Sequence, residues 1–217
     1  CIRDSTWQNG VLNIKTNTGM LCIVPMTEKV MEVSFIVQGT VQPDSSHAVV
    51  LASQKPKTTV KSKAQALVVN TKDIALEIAT TGELKIKCFY KSQLKTTHLG
   101  GLFQRDTLKG FQFALPNKED ALYGAGARAL PLNRRGKRLL LYNNPHYSYE
   151  DYAEVLNYSI PVVMSSSNYM LFFDNATKGF VDLGATASDK MSFEAIAGKM
   201  TYYFIAGENM CDLLESY

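Results

Sequence analysis

The sequence predicts a mainly β protein, an antiparallel sandwich of two packed sheets with a short helix at the C-terminal end. Three observations predict this. Apolar and polar residues alternate with a period of two in many short segments, which is typical of strands that bury one face. β-Branched and aromatic residues are common in these segments. Turn-forming residues such as Asn9-Gly10 and Thr81-Gly82 separate them. Varied strand lengths and long connections favour two packed sheets over a barrel.

In the first half of the chain, the alternation predicts strands at residues 11–16, 30–37, 74–79 and 83–90. The last two flank a Thr-Thr-Gly turn, so we expect a hairpin there. Residues 53–65 contain four lysines and few apolar residues. This composition fits a patch for an anionic partner, but we favour a solvated loop or an edge strand that lysines protect from further pairing.

In the second half, further strands are predicted at residues 111–115, 139–142, 159–165, 169–175, 191–197 and 200–206. Helix signals are sparse. One turn can form after Pro116, and residues 207–217 place Met210, Leu213 and Leu214 on one helical face. We therefore divide the chain into a β-sandwich domain at residues 1–206 and the start of a linker helix at residues 207–217.

Composition and charge exclude several classes of protein. The chain has 217 residues, of which 46% are hydrophobic, and this suffices for one substantial core. A net charge of only +3 is unlike the strongly basic profile of a nucleic-acid binder. The apolar runs are too short to span a membrane as a helix. We therefore expect neither a nucleic-acid partner nor a membrane span.

Residues that bind metals or carry covalent chemistry are scattered. The histidines have no metal-site spacing and stand at His47, His98 and His146. The cysteines match no zinc pattern, and we expect Cys22 and Cys88 to be buried free thiols. Adjacent carboxylates at Glu119-Asp120 and Glu150-Asp151 lie in polar segments, so we expect solvated charges rather than an acid–base pair. We expect no cofactor and no metal site.

A glycine-rich stretch at residues 124–129 fits the pattern G-x-G-x-x-A of dinucleotide-binding loops. Such a loop requires a helix that begins at the glycines, so that the pyrophosphate lies at the helix N-terminus. Pro131 and the following Asn133 to Gly136 are loop sequence, and the surrounding segments are strands. We therefore expect the glycines to permit positive φ or a close backbone approach in a bend. The arginines that follow are expected to hold the crossover.

Residues 141–161 combine five tyrosines with several asparagine, histidine and carboxylate residues between two strands. Loops of this composition can hold sugars, because flat aromatic faces stack on pyranose C–H groups and amides bond hydroxyls. From composition alone we favour a structured surface loop whose tyrosines cover the sandwich edge, and sugar binding remains the alternative.

Five short motifs follow one another in an order that is similar to one known family. They are Tyr123-Gly124-Ala125-Gly126, Leu132-Asn133-Arg134-Arg135-Gly136, Tyr142-Asn143-Asn144-Pro145, Ser159-Ile160-Pro161 and Phe173-Asp174-Asn175. From about Gly110 to Tyr217 the chain resembles the N-terminal β-sandwich of glycoside hydrolase family 31, which includes α-glucosidases, α-xylosidases and α-transglucosylases. The amino-acid sequence around these motifs is most similar to that of the family members found in Bacteroidetes.

The resemblance implies a galactose-mutarotase-like supersandwich that is not itself catalytic. Family members carry two aspartates for retaining chemistry on a (β/α)₈ barrel that follows this domain, and the resemblance places that barrel outside this chain. We therefore expect the fragment to be inactive alone and its full-length protein to be a retaining α-glucosidase or α-transglucosylase. The implied partners are the barrel and α-glucoside oligosaccharides. A sandwich without its barrel should expose apolar surface and self-associate.

The resemblance also implies candidate substrate-binding residues, namely Asn143, Asn144, His146 and Tyr147 in the loop that reaches the rim of the substrate pocket. Related enzymes bind a sugar hydroxyl there through a carboxylate. The matching residue here is Asn144, whose amide can hydrogen-bond a sugar but brings no charge. Ala127 similarly stands where many members have Glu.

The sequence leaves two other functions to consider and suggests a cellular location. A standalone carbohydrate-binding β-sandwich is the alternative function. Mutarotase activity follows from fold analogy alone and lacks the clustered His and Glu that it needs. Members of this branch are often exported, so we expect a bacterial periplasmic or cell-envelope protein. Cys1 fits a processed lipoprotein or merely the first residue of a trimmed chain.

Overall fold

The computed structural model describes residues 2–40, 46–144, 148 and 150–217, apart from the side chain of Arg3. Its first nine strands are β1 (Ile2–Gln8), β2 (Val11–Thr16), β3 (Gly19–Thr27), β4 (Val30–Val37), β5 (Thr59–Lys63), β6 (Ala66–Asn70), β7 (Ile74–Ala79), β8 (Lys85–Tyr90) and β9 (Gln93–Arg105). The remaining elements are β10 (Leu108–Ala114), β11 (Leu122–Gly124), β12 (Arg138–Leu141), β13 (Val162–Ser165), β14 (Tyr169–Phe173), β15 (Gly179–Asp182), β16 (Lys190–Ala195), β17 (Thr201–Ala206) and the helix α1 (Met210–Ser216).

The strands form two antiparallel sheets that pack face to face, which confirms the predicted sandwich. The eight-stranded sheet has the order β1-β2-β3-β4-β17-β14-β13-β11. The nine-stranded sheet has the order β12-β15-β16-β10-β9-β8-β7-β6-β5. The second sheet is therefore a run of adjacent hairpins from β5 to β10, whereas β4 in the first sheet pairs with β17 from the far end of the chain.

The main core lies between the two sheets and includes large side chains from both of them, such as Phe111, Phe193 and Tyr202. A second apolar cluster lies on the outer face of the eight-stranded sheet, where α1 covers it with Leu213. β14 and β17 lie beneath this cluster and are buried on both faces. For this reason their sequences are continuously apolar rather than alternating.

The helix α1 is held at its start by side chains. The Asn209 side chain accepts a hydrogen bond from the Asp212 amide at 3.0 Å, which is an N-cap. Asp212 forms an ion pair with Lys29, and Leu213 is buried against the sheet. Within the described residues, no helix combines the length and the apolar character that crossing a bilayer requires.

The lysine-rich segment contains β5, the edge strand of the nine-stranded sheet. Lys63 on this strand and Lys87 on β8 both form ion pairs with Glu77 on β7, at 3.0 and 3.3 Å. The segment therefore includes an edge strand that carries lysines, as we expected.

The described cysteines are free thiols at three different depths. Cys88 is buried, and burial raises the pKa of its thiol. Cys22 is only half-buried, so the expectation of full burial was wrong for that residue, because its side chain points outward from β3. Cys211 is exposed on α1.

Candidate functional site

The glycine-rich stretch makes a bend at the end of β11. Three successive residues have positive φ, with 111° at Gly124, 63° at Ala125 and 88° at Gly126. A Cβ on Gly126 would lie 2.7 Å from backbone atoms of residues 158–160. Since a β-carbon cannot approach backbone that closely, only glycine fits here. This confirms that the glycines serve a bend and a close backbone approach.

Arg128 lies directly behind this bend and is buried. Its guanidinium donates hydrogen bonds to the Ala125 carbonyl at 2.9 Å, the Leu140 carbonyl at 2.7 Å and the Ser159 hydroxyl at 2.9 Å, and it also donates to the Glu154 carbonyl. Burial lowers the pKa of the Arg128 guanidinium, and the charge of Arg134 lowers it further. The residue therefore joins the bend to both ends of the tyrosine-rich loop.

Two more arginines hold the crossover, as expected. Arg134 donates to the Pro131 carbonyl at 2.6 Å. Arg135 donates to the carbonyl oxygens of Asp120 and Ser188, both at 3.0 Å. These contacts tie the loop after the bend to its neighbours in both sheets.

Asp120 is not the solvated carboxylate that we expected from its polar surroundings. It is buried and accepts hydrogen bonds from Asn117 at 2.7 Å, Ser165 at 3.1 Å and Ser167 at 2.7 Å. A buried carboxylate with three hydrogen-bond donors organises the loops around it. Glu150 and Asp151 are exposed, as expected.

The candidate sugar-binding residues have different environments. The Asn143 side-chain oxygen accepts the Ser159 amide at 2.7 Å, so this atom helps to close the base of the loop. Asn144 is exposed and forms no hydrogen bond with the described part of the chain, so its amide is free for a ligand. His146 and Tyr147, the other two candidates, lie outside the described residues.

Asn143 lies on the wall of a cavity of about 610 Å³ at the edge of the sandwich. The wall combines aromatic and aliphatic surface with amide, hydroxyl and charged groups. Its main contributors are Ser46, His47, Leu141, Tyr142, Asn143, Ile160, Pro161, Phe172, Asp174, Asn175, Thr177, Lys178, Lys199 and Tyr217. A cavity with this lining can stack a sugar ring and bond its hydroxyls.

The charged side chains Asp174, Lys178 and Lys199 at this cavity each contact another side chain of the fold. Asp174 accepts a hydrogen bond from Ser46 at 2.9 Å and forms an ion pair with Lys199 at 3.1 Å. The Lys178 ammonium lies 5.2 Å from the centre of the Tyr142 ring, which is a cation–π contact. These pairs give the cavity a fixed polar rim suited to a neutral polyol.

Metal-binding side chains are not clustered in the described ranges. These ranges contain no group of three or more His, Cys, Asp or Glu side chains arranged to hold a metal ion. His98 lies deep between the sheets, and burial lowers its pKa to about 4. It therefore cannot act as an acid or base on a bound sugar.

A smaller groove of about 220 Å³ adjoins the cavity on the outer face of the eight-stranded sheet. Phe172 and Tyr217 line both spaces. Exposed apolar side chains line the groove: Val50 is 99% exposed and Leu51 is 52% exposed. The apolar outer face and the cavity with Asn143 thus form one continuous surface.

The fold and this surface define a β-supersandwich domain with a sugar-compatible edge and, in the part described, no metal-binding cluster. The chain belongs to the family "Glycosyl hydrolase 31 N-terminal galactose mutarotase-like domain", whose sequence model matches residues 20–182. This membership confirms the resemblance noted from the five motifs.

Two curated relatives are α-glucosidases. The chain is 26% identical to Alpha-glucosidase 2 of Bacillus thermoamyloliquefaciens over 220 residues, which cover 95% of this chain and 27% of that protein. It is 30% identical to an Alpha-glucosidase of Saccharolobus solfataricus over 102 residues, which cover 46% of this chain and 15% of that protein. The chain thus spans about a quarter or less of the length of these relatives.

Solved structures share the fold. A GH31 dextranase of Flavobacterium johnsoniae complexed with isomaltotriose superposes with a TM-score of 0.91 at 24% identity, covering 100% of this chain and 27% of the dextranase. The cycloalternan-forming enzyme of Listeria monocytogenes gives a TM-score of 0.79 at 20% identity, covering 99% of this chain and 21% of that enzyme.

Proposed function

We propose that this chain is the non-catalytic N-terminal domain of a larger enzyme that cleaves or transfers α-glucosidic bonds. Its family membership and the names of the two curated relatives support this proposal. The match spans only 27% and 15% of those two relatives, so most of each enzyme lies outside the matched part.

One observation supports the proposal most strongly: the candidate sugar residue Asn143 and the apolar outer face line the same cavity. A catalytic domain that packs on Phe172, Tyr217 and the neighbouring apolar side chains would bring its own surface directly opposite Asn143. The domain then closes one side of the substrate pocket. This is how a domain without catalytic groups can influence catalysis.

Within this arrangement we assign the sugar contacts to Asn143, Asn144, His146 and Tyr147. Asn144 is the strongest of these candidates, because its amide is exposed and uncommitted to any described residue. An amide donates and accepts hydrogen bonds without charge. It therefore suits the neutral hydroxyl groups of an α-glucoside.

The direct test is to compare two recombinant proteins. One is the 217-residue chain, and the other is the longest open reading frame that contains it. We expect the longer protein to release 4-nitrophenol from 4-nitrophenyl α-D-glucopyranoside, and the 217-residue chain to release none. Release by the 217-residue chain alone, or by neither protein, would refute the proposal.

A standalone carbohydrate-binding domain is the second candidate, and the size of the cavity beside Asn143 favours it. Isothermal titration of the 217-residue chain with maltotriose and isomaltotriose separates the two. Millimolar or tighter binding to the isolated chain supports a binding module. If no heat is released up to about 10 mM sugar, roughly ten times a millimolar dissociation constant, the pocket needs the catalytic domain in order to bind.

A further inference from the structure

We infer that Arg128 is a positioning residue that fixes the sugar-facing loop, residues 141–161, by joining the strand before the loop to the loop's returning half. The inference rests on the proposed function in assigning sugar contacts to that loop. The contacts themselves belong to the described residues and stand independently of it.

The hydrogen bonds of Arg128 reach both ends of the loop. Before the loop, Leu140 offers its carbonyl at 2.7 Å. In the returning half of the loop, Ser159 offers its hydroxyl at 2.9 Å, and Glu154 offers its carbonyl. One planar guanidinium thus sets the separation of two chain segments that are 19 positions apart in sequence, from Leu140 to Ser159.

Ser159 carries this constraint to the sugar-binding candidates. Its amide donates to the Asn143 side-chain oxygen at 2.7 Å. Its hydroxyl lies 3.3 Å from both the amide nitrogen and the carbonyl oxygen of Tyr142. The path from Arg128 to Asn143 therefore passes through a single residue, and Asn144 follows directly in the chain.

The bend contributes a second set of bonds to the same loop. The amides of Ala127 and Ala129, on either side of Arg128, donate to the carbonyls of Tyr158 and Ala153, both at 3.0 Å. The bend and the Arg128 guanidinium therefore hydrogen-bond to the returning half of the loop at several points between residues 153 and 159.

The chemistry of Arg128 argues for a precise geometric role. Among the described residues no carboxylate pairs with it, and its acceptors are three carbonyl oxygens and one hydroxyl. A residue that only balanced a negative charge would need a positive charge and nothing more. These four acceptors instead require several N–H donors held in one plane, which a guanidinium provides. Lysine has the charge without the fork, so Arg128→Lys tests geometry separately from charge.

The test compares Arg128→Lys with Arg134→Lys, because Arg134 is also buried but its side chain donates only to the Pro131 carbonyl among the described residues. Amide exchange is followed by NMR in the 217-residue chain at Ala127, Ala129, Tyr142 and Ser159. We expect exchange at these amides to speed up at least about 10-fold in Arg128→Lys and less than about 2-fold in Arg134→Lys. Equal exchange in the two variants would overturn the inference.

Kinetics of the longer enzyme give the second readout. We expect Arg128→Lys to raise KM for an α-glucoside about 3- to 10-fold with kcat within about 2-fold, since a displaced binding residue weakens binding more than chemistry. If Asn144→Ala raises KM and Arg128→Lys does not, the inference is wrong. If exchange rises but neither variant changes KM, the loop does not touch sugar, and the proposed function of the loop fails while the joining role of Arg128 stands.

Discussion

His98 and Tyr202 form a hydrogen bond across the sandwich, from β9 in one sheet to β17 in the other, with 3.1 Å between the His98 Nδ1 and the Tyr202 hydroxyl. The other ring nitrogen, Nε2, lies 2.8 Å from the Gly101 carbonyl, which can only accept. Nε2 therefore carries the proton, and Nδ1 accepts from Tyr202. This bond joins the two sheets inside an otherwise apolar core.

Removing the Tyr202 hydroxyl should destabilise the domain. Tyr202→Phe leaves the buried Nδ1 of His98 without a donor, and we expect a loss of about 1 to 3 kcal/mol in the free energy of unfolding. A double-mutant cycle in urea with His98→Leu isolates the bond. A coupling free energy within error of zero would show that the two residues stabilise the core independently.

Stability should fall in acid because of His98. Burial lowers its folded pKa to about 4 from the ordinary 6.5, partly offset by its bond to Gly101. As pH falls through 6.5, His98 takes up a proton in the unfolded chain before it does so in the folded chain. The contribution of His98 to the free energy of unfolding is therefore complete above about pH 6.5 and is lost progressively down to about pH 4. The total loss is about 3 kcal/mol.

The measurement is the midpoint of urea unfolding at intervals between pH 7.5 and 4. The His98→Leu variant is the control, because it lacks the titrating group. Its profile should be flatter than that of the parent across this window. Parallel profiles would assign the acid sensitivity to other groups.

Gly126→Ala should destabilise the bend by about 2 to 4 kcal/mol, the sum of backbone strain and a steric clash. Gly136→Ala is the matched control, because Gly136 also has positive φ, 78°, but open space where a Cβ would be. It should lose only about 1 kcal/mol. Equal losses in thermal unfolding would mean that the close approach to residues 158–160 contributes nothing.

The isolated 217-residue chain should self-associate through its apolar outer face. Val50→Lys combined with Leu51→Lys should shift the molecule toward monomer in sedimentation velocity, because both side chains line the groove and are exposed. Leu132→Lys is the control, since Leu132 is 80% exposed and lines neither the cavity nor the groove. A parent chain that remains monomeric at high concentration would contradict the prediction.

Strands that bury one face were predictable from the sequence. β2, β4 and β7 begin and end where the alternation of residues 11–16, 30–37 and 74–79 predicts. β9 was not predicted, because its 13 residues include Gly100 and Gly101, both with φ of 74°, which interrupt the pattern. The turn after Pro116 formed, but it does not continue into a helix.

Contacts between residues far apart in sequence could not be predicted from local sequence patterns. The pairing of β4 with β17 joins segments some 170 positions apart, and its free energy comes from burial on both faces of the sheet. Asp120 looked like a solvated charge because its donors Ser165 and Ser167 belong to a distant hairpin. Both findings depend on tertiary structure.

The candidate site was partly accessible from sequence. Motif order identified Asn143 and Asn144, and the structure places Asn143 at a cavity. Arg128 was recognised only as one of several arginines near a crossover. Its acceptors are backbone carbonyls and a hydroxyl, which leave no side-chain signature such as a paired carboxylate in the sequence.

The most direct test of the central claim, that this domain contributes a sugar contact to a larger enzyme, is the kinetic effect of Asn144→Ala in the longer protein. We predict that kcat/KM for an α-glucoside falls about 3- to 10-fold, as expected for one lost hydrogen bond, with no change in Tm because Asn144 is exposed. Asn157→Ala, which removes an exposed amide of the same loop that is not among the four candidate sugar-binding residues, should leave kcat/KM unchanged. An unchanged kcat/KM in Asn144→Ala would contradict the claim.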